Sequence, residues 1–298
     1  MSPATAPMFL ELFNIVAPVV VCAAIGYVWA RLGLPFETPF VTSLVTNIAA
    51  PCLILATLTK LNVSAEAFGQ MAGAAALALL IFMVIGAIVL RAAKLSLHSF
   101  LPAMMFGNTG NMGLPLSLFA FGEEGLALGI AFFAVNAVSQ FTVGALISSG
   151  SMSVRGLVRT PVLWAVSLAL IFMFTGAKPP TFVANTLTLL GNIAIGLMLL
   201  ALGVSLARLK VRSLGHTFGL SVLRLGMGFG VGYGLAYGLD LEGAARGVVI
   251  LACSMPVAVF NYLFAQRYGR EAEEVASVIV ASTLMSFATL PLLLLVVL

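Results

Sequence analysis

Gly107-Asn108-Thr109-Gly110-Asn111-Met112-Gly113-Leu114-Pro115 sits in the middle of an apolar run that extends from about 97 to 121. Three glycines, two asparagines and a proline in nine residues are incompatible with an ordinary lipid-facing helix. Pro115 lacks an amide proton and clashes with the preceding turn, so backbone carbonyls are expected to be freed there. At bilayer depth such groups must face protein or a water-filled cavity. A second stretch, Ala252-Cys253-Ser254-Met255-Pro256-Val257-Ala258-Val259-Phe260-Asn261, interrupts another apolar run, again with its proline near the middle.

The surrounding composition fixes the solvent. Of 298 residues, 61% are hydrophobic and 8% charged, against roughly a quarter charged in soluble domains. Mean hydropathy is +1.16. A spanning helix takes about 20 apolar residues, so the length accommodates ten. The expected spans are 8–30, 38–59, 67–91, 97–121, 124–149, 156–175, 181–206, 214–238, 244–267 and 272–298. The first lacks a basic leader and is too long for a signal-peptide core, so it reads as a span. The net charge of +4 does not signal nucleic acid, because the basic residues stand in loops beside span ends. Cys22, Cys52 and Cys253 each fall within a span without metal-ligand spacing. They read as small packing residues, with no disulfide.

Loop charges orient the chain. Arg31, Arg91, Lys94, Arg155, Arg159, Arg208, Lys210, Arg212, Arg267 and Arg270 fall on one side, and Lys60, Lys178 and Arg246 on the other. The first side is therefore expected in the cytoplasm. Both termini would then be extracytoplasmic, in a multi-pass protein of the inner (plasma) membrane.

The chain also resembles itself. Asn47-Ile48-Ala49 matches Asn192-Ile193-Ala194, and Leu55, Ala56 and Leu61 match Leu200, Ala201 and Leu206 at the same offset of 145. Phe121-Gly122 with Glu124 matches Tyr268-Gly269 with Glu271 at nearly that offset. A common offset that agrees with five spans plus five implies duplication. Because five is odd, the second copy enters the membrane upside down, as in secondary transporters. The expected fold is thus an all-α integral membrane protein of ten transmembrane helices. Residues 1–150 and 151–298 form two inverted five-helix repeats, and helices 4 and 9 are broken and cross.

Interruptions at matching places in two inverted halves point to a transport site. A helix N-terminus carries roughly half a positive charge and several unpaired N–H groups. Two such ends converging on one cavity attract an anion without a buried cation. Asn108, Thr109, Gly110, Asn111, Pro115, Ser254, Pro256 and Asn261 are the candidate substrate-binding residues. The bland alternative is a pair of kinked helices whose Asn side chains repair freed carbonyls.

Other polar residues carry two readings each. Asn136, Ser139 and Gln140 on span 5 either line the same cavity or hydrogen-bond between helices; Asn136 and Gln140 join the candidate set. Asn47 and Asn192 either face the substrate path or pack one half on the other. Gly226, Gly230, Gly234 and Gly238 form a bare stripe on span 8 that suits close helix packing, within the protomer or across a dimer. Alternating glycines there do not make a nucleotide loop, since no strand precedes them. Arg224 reads as snorkelling to the headgroups, or, more sharply, as a cation concentrating anions at the cytoplasmic mouth. No Asp or Glu lies in the middle of a span, so coupling to H+ or Na+ through a buried carboxylate is not supported, and no cofactor is implied. No nucleophile–base pair or metal cluster suggests an enzyme.

Asn108-Thr109-Gly110-Asn111-Met112-Gly113-Leu114-Pro115, Ala50-Pro51-Cys52, and Met255-Pro256-Val257-Ala258-Val259-Phe260-Asn261-Tyr262 followed by Gln266-Arg267-Tyr268-Gly269 resemble the auxin efflux carrier family. Its bacterial branch comprises permeases for malonate, malate and similar acids. The similarity spans nearly the whole chain. It implies the fold shared with bile-acid/sodium symporters: spans 3–5 and 8–10 a mobile core, spans 1, 2, 6 and 7 a scaffold that often dimerises. It also implies a substrate carboxylate near Asn108, Thr109 and Pro256. Plant members typically carry proline where this chain has Gly107, and a long loop between the halves where this chain has only about 150–155. Auxin is accordingly a poor substrate candidate. The expected function is a carrier of small organic anions, mono- or dicarboxylates, by alternating access or an elevator movement. The alternative is an anion-selective channel through the same crossing.

Overall fold

The computed structural model describes residues 5–60, 64–150, 161–209 and 215–298. Leu61, Arg155, Arg159, Lys210, Arg212 and the starts of the expected sixth and eighth spans lie outside the described residues. The described residues are helical apart from short connections and an isolated two-residue bridge. The elements are α1 (Thr5–Arg31), α2 (Thr38–Lys60), α3 (Ala65–Ala92), α4 (Leu97–Met105), α5 (109–121) and α6 (123–149). They continue with α7 (Pro161–Thr175), α8 (Thr181–Arg208), α9 (Gly215–Gly238), α10 (Gly243–Cys253), α11 (Phe260–Arg267) and α12 (Ala272–Val297). Seven described helices are long and apolar enough to cross a bilayer, counting Thr109–Ser149 as one run; Pro161–Thr175 and Gly243–Cys253 are apolar but shorter. The exterior is apolar too: Phe174 is 72% exposed, Phe182 74% and Leu189 72%. Water would not tolerate such a surface, whereas lipid does.

The run Thr109–Ser149 folds back on itself at Gly122, where φ is +64° and ψ −156°. A side chain is strained in that region, and glycine is not. Beyond the turn the arms lie side by side, Gly129 against Ser117 and Gly110 against Phe133. A π-helical turn at Gln140–Gly144 lies within α6.

Glycines set the closest crossings. A Cβ on Gly203 would overlap the Ala23 carbonyl, and one on Gly26 the Leu200 carbonyl, so α1 and α8 touch backbone to backbone. Gly191 brings α8 equally close to Leu53 of α2. Small residues permit this approach, and dispersion between the backbones rewards it. On α9 the packed glycines are Gly228 and Gly232, which face Cys253 and Ile250 of α10. Gly226, Gly230, Gly234 and Gly238, the stripe expected to pack, have nothing within 4 Å. Both faces of α9 are bare of side chains, and the neighbour takes the other one. Among the described residues nothing packs closely on the 226–238 stripe.

Each expected broken span is two helices. α4 ends at Met105, and Phe106–Asn108 run extended into the π-helical turn Thr109–Gly113 that opens α5. α10 ends at Cys253, and 255–258 run extended into α11. The break lies upstream of Pro115, which was expected to cause it. Pro115 sits in the first turn of the α-helix that follows the π turn, where a missing donor costs little. Pro256, by contrast, lies in the extended segment itself.

Candidate functional site

The two extended segments meet. Gly107 and Val257 form an antiparallel bridge. The Asn108 amide donates to the Pro256 carbonyl at 2.7 Å, and the Ala258 amide to the Phe106 carbonyl at 3.0 Å. Backbone that left its helix thus finds partners in the other break, as a water-poor setting demands. Two side chains complete the repair. Asn261 Nδ2 donates to the Phe106 carbonyl at 3.1 Å, and Ser282 Oγ accepts from the Val257 amide at 3.2 Å.

Some donors stay unpaired. Among the described residues no acceptor meets the amides of Gly110 and Asn111 at the start of α5, or of Val259 and Phe260 at the start of α11. These are the orphan N–H groups of two helix N-termini. Asn108 is buried and its Nδ2 has no hydrogen-bond partner. A buried, unpaired amide costs about 1–3 kcal/mol, so a residue held in that state calls for a ligand or a water.

Gly110, Asn111, Phe260 and Asn108 belong to the lining of one cavity of about 60 Å³, and Val259 lies just outside it. Gly107 to Asn111, Asn136, Gln140 and Phe260 line it, with Phe133, Phe141, Val162 and Met198 as apolar walls and Thr46 facing from α2. No Asp, Glu, Lys, Arg or His is in the lining. The polar rim is cross-linked: Asn136 Nδ2 donates to Thr109 Oγ1 at 3.0 Å, and Gln140 Nε2 to Asn261 Oδ1 at 3.3 Å. Side-chain donors and the positive ends of two helices face a neutral, mainly apolar hole. That arrangement is chemically suited to a small anion held by hydrogen bonds.

Of the sequence candidates, Asn108, Thr109, Gly110, Asn111, Asn136 and Gln140 line this cavity. Asn261 buttresses it through Gln140, and Pro256 contributes its carbonyl to the bridge. Pro115 is buried outside the lining. Ser254 is elsewhere: its hydroxyl returns to the Ile250 carbonyl at 2.7 Å, and it borders a separate groove of about 410 Å³ between α9 and α12. Asn47 and Asn192 are exposed, and Asn47 bonds Ser43; neither lines the cavity. Thr46, Phe133, Phe141, Val162 and Met198 carried no sequence signal, since an apolar wall residue looks the same as one facing lipid.

Arg224 corrects its sequence reading. It is 1% exposed, so it neither snorkels to a surface nor stands at a mouth. Its Cζ lies 4.8 Å from the Phe82 ring centroid, and Nε and Nη1 have no hydrogen-bond partner. Arg224, Gly228 and Gly232 share one face of α9 at four-residue spacing, and that face covers α10.

Comparison with known proteins adds an independent line. A family profile described as membrane transport protein matches residues 12–153 and 145–294. An uncharacterised transporter of Methanothermobacter thermautotrophicus is 31% identical over 312 residues, covering 96% of this chain and 98% of that one. An uncharacterised transporter of Methanocaldococcus jannaschii is 26% identical over 303 residues, covering 94% of this chain and 96% of that one.

Proposed function

Since the chain belongs to the membrane transport protein family, the auxin efflux carriers, we propose that it is a secondary carrier of small mono- or dicarboxylates, working by alternating access at the crossing of the two broken helices. The family and its relatives' names point to transport rather than catalysis. The observation that carries the substrate class is the set of residues with unpaired donors around a cavity without charged side chains among the described residues: the backbone amides of Gly110, Asn111 and Phe260, with the buried Nδ2 of Asn108 beside them. A carboxylate satisfies several at once, whereas a cation meets only positive helix ends. The cavity of about 60 Å³ favours guests of a few carbon atoms.

Ten passes follow if α4 with α5 makes the fourth and α10 with α11 the ninth. Two inverted halves, 1–150 and 151–298, are supported by the paired breaks and by glycines of matching turn geometry, Gly122 at φ +64° and Gly269 at φ +62°. Loops assigned to one side also touch one another. Arg208 donates to Thr38 and Phe36, Arg270 donates to Ser148, and on the opposite side Lys60 pairs with Glu123. The basic side is cytoplasmic and the termini face out. α1, α2, α7 and α8 serve as scaffold and as the face for a homodimer, and the core carries the site in an elevator movement.

Among the described residues no titratable group lines the cavity; in this reading substrate charge alone couples to the membrane potential, and an inside-negative cell favours export. Each charge gains about 2.3 kcal/mol per 100 mV. Purified protein in proteoliposomes, loaded with labelled malonate or malate under a potassium diffusion potential, tests this. Flux that rises with inside-negative potential is expected. Potential-independent flux sinks the uncoupled scheme, and unitary currents far above carrier turnover indicate a channel.

A further inference from the structure

Arg224 is a cation with no visible reason to be where it is. It makes no ion pair with any described residue, and two of its three nitrogens lack hydrogen bonds. An unpaired charge in a membrane interior is among the costliest groups a protein carries. The ring of Phe82 offsets part of that cost.

The larger offset lies at the crossing. α4 ends at Met105 and α10 at Cys253, so two C-termini stop beside the bridge. Each such end carries roughly half a negative charge on unpaired carbonyls. One turn along α9 from Arg224, Gly228 lies against the Cys253 carbonyl, so the same face of α9 meets the end of α10. A Cβ built on Gly107 would collide with Arg224 Nη2 and come 3.1 Å from the Met255 carbonyl. Guanidinium and carbonyl therefore crowd one point, on the bridge residue itself. In other broken-helix transporters, C-terminal ends and unwound carbonyls of this kind coordinate a mobile cation.

We propose that Arg224 is a built-in counter-cation for the two C-terminal helix ends, filling the place at the crossing where a mobile cation would otherwise bind. Gly107 is its steric partner, bare so that the guanidinium fits. The cycle then needs no metal cation. That last step rests on the carrier reading; the structural role of Arg224 does not.

The test separates the two. Purified Arg224→Ala should melt below the wild type in detergent. Low-millimolar guanidinium should restore most of the loss, while urea, the neutral analogue of the same shape, should not. The wild type should ignore both. Gly107→Ala should lower the melting point in the wild-type background and do so much less with Arg224→Ala, because the colliding group is gone. Should Arg224→Ala fail to fold, Arg224→Met and Arg224→Lys replace it, and only lysine should keep the wild-type melting point. A methionine variant that melts like the wild type, or an additive Gly107–Arg224 cycle, overturns the proposal. None of these readouts needs a substrate. In proteoliposomes, wild-type malonate flux should be equal in sodium and in choline. A sodium requirement overturns the coupling step even if guanidinium rescue holds, and absence of carboxylate flux with rescue intact indicts the carrier reading instead.

Discussion

Asn108→Leu separates a binding residue from a structural one. In the wild type Asn108 is buried, and its side chain makes no hydrogen bond with any described residue. Leucine matches asparagine in branching and heavy-atom count but is bulkier, so the substitution forfeits no protein hydrogen bond and removes a stranded donor worth about 1–3 kcal/mol of desolvation. Overpacking by the larger side chain returns about 1–3 kcal/mol. The ligand-free protein should therefore melt close to the wild-type temperature. Carboxylate binding should suffer in the opposite direction. A hydrogen bond to a charged partner contributes about 1.5–3 kcal/mol, so affinity for malonate or malate should fall roughly ten- to hundredfold. Melting curves in detergent, with and without each acid, read both quantities in one experiment. A variant that melts well below the wild type, yet keeps its ligand-induced shift, shows that Asn108 repairs the chain break instead of gripping a guest. The reasoning then fails.

Asn261→Ala should behave as the converse. It strands Gln140 Nε2 and removes a bond to Phe106, so the ligand-free melting point should drop by the equivalent of about 1–3 kcal/mol; an unchanged melting point refutes that buttress. On α9, Gly228→Val should be destabilising because its Cβ overlaps the Cys253 carbonyl, whereas Gly230→Val, with nothing within 4 Å, should be neutral in a detergent-solubilised monomer. Equal effects from the two would contradict the assignment of faces. The Lys60–Glu123 pair is 64% and 54% exposed, so Lys60→Ala should shift stability by less than about 1 kcal/mol, and a larger drop in a melting scan would contradict that.

Much of this was legible because lipid makes polarity expensive. Glycine, asparagine and proline clustered at 107–115, and Ser254, Pro256 and Asn261 in the second stretch, have little reason to occur at bilayer depth unless the helix stops, and both helices do stop. The exact stopping point was not legible. Pro115 is the loudest local signal, yet the chain leaves the helix at Phe106, because the bridge to 256–258 supplies the hydrogen bonds and only tertiary structure reveals that partner. That Ser254 lies off the cavity was not legible for the same reason. Position in the break says nothing about which of two flanks a side chain takes, and its hydroxyl turns back to Ile250. Span 8 was ambiguous at the level of the helical wheel, with glycines on both faces at 226–238 and at 228–232. Arg224 shares its face with Gly228 and Gly232, a pairing that hinted at burial. A lone arginine near a span end nonetheless reads first as a surface residue, and nothing in one sequence outweighs that.

The bridge between residues 106–108 and 256–258 is made of main chain alone. Among substitutions only one that removes a donor amide, Asn108→Pro or Ala258→Pro, cuts it directly, and neither break can shift relative to the other without exposing two pairs of peptide groups to hydrocarbon. Segments separated by some 150 positions in the chain are thereby welded into a single structural unit. In the elevator movement proposed above, both broken helices would travel together past Thr46, Val162 and Met198, as a passenger compartment passes the wall of its shaft.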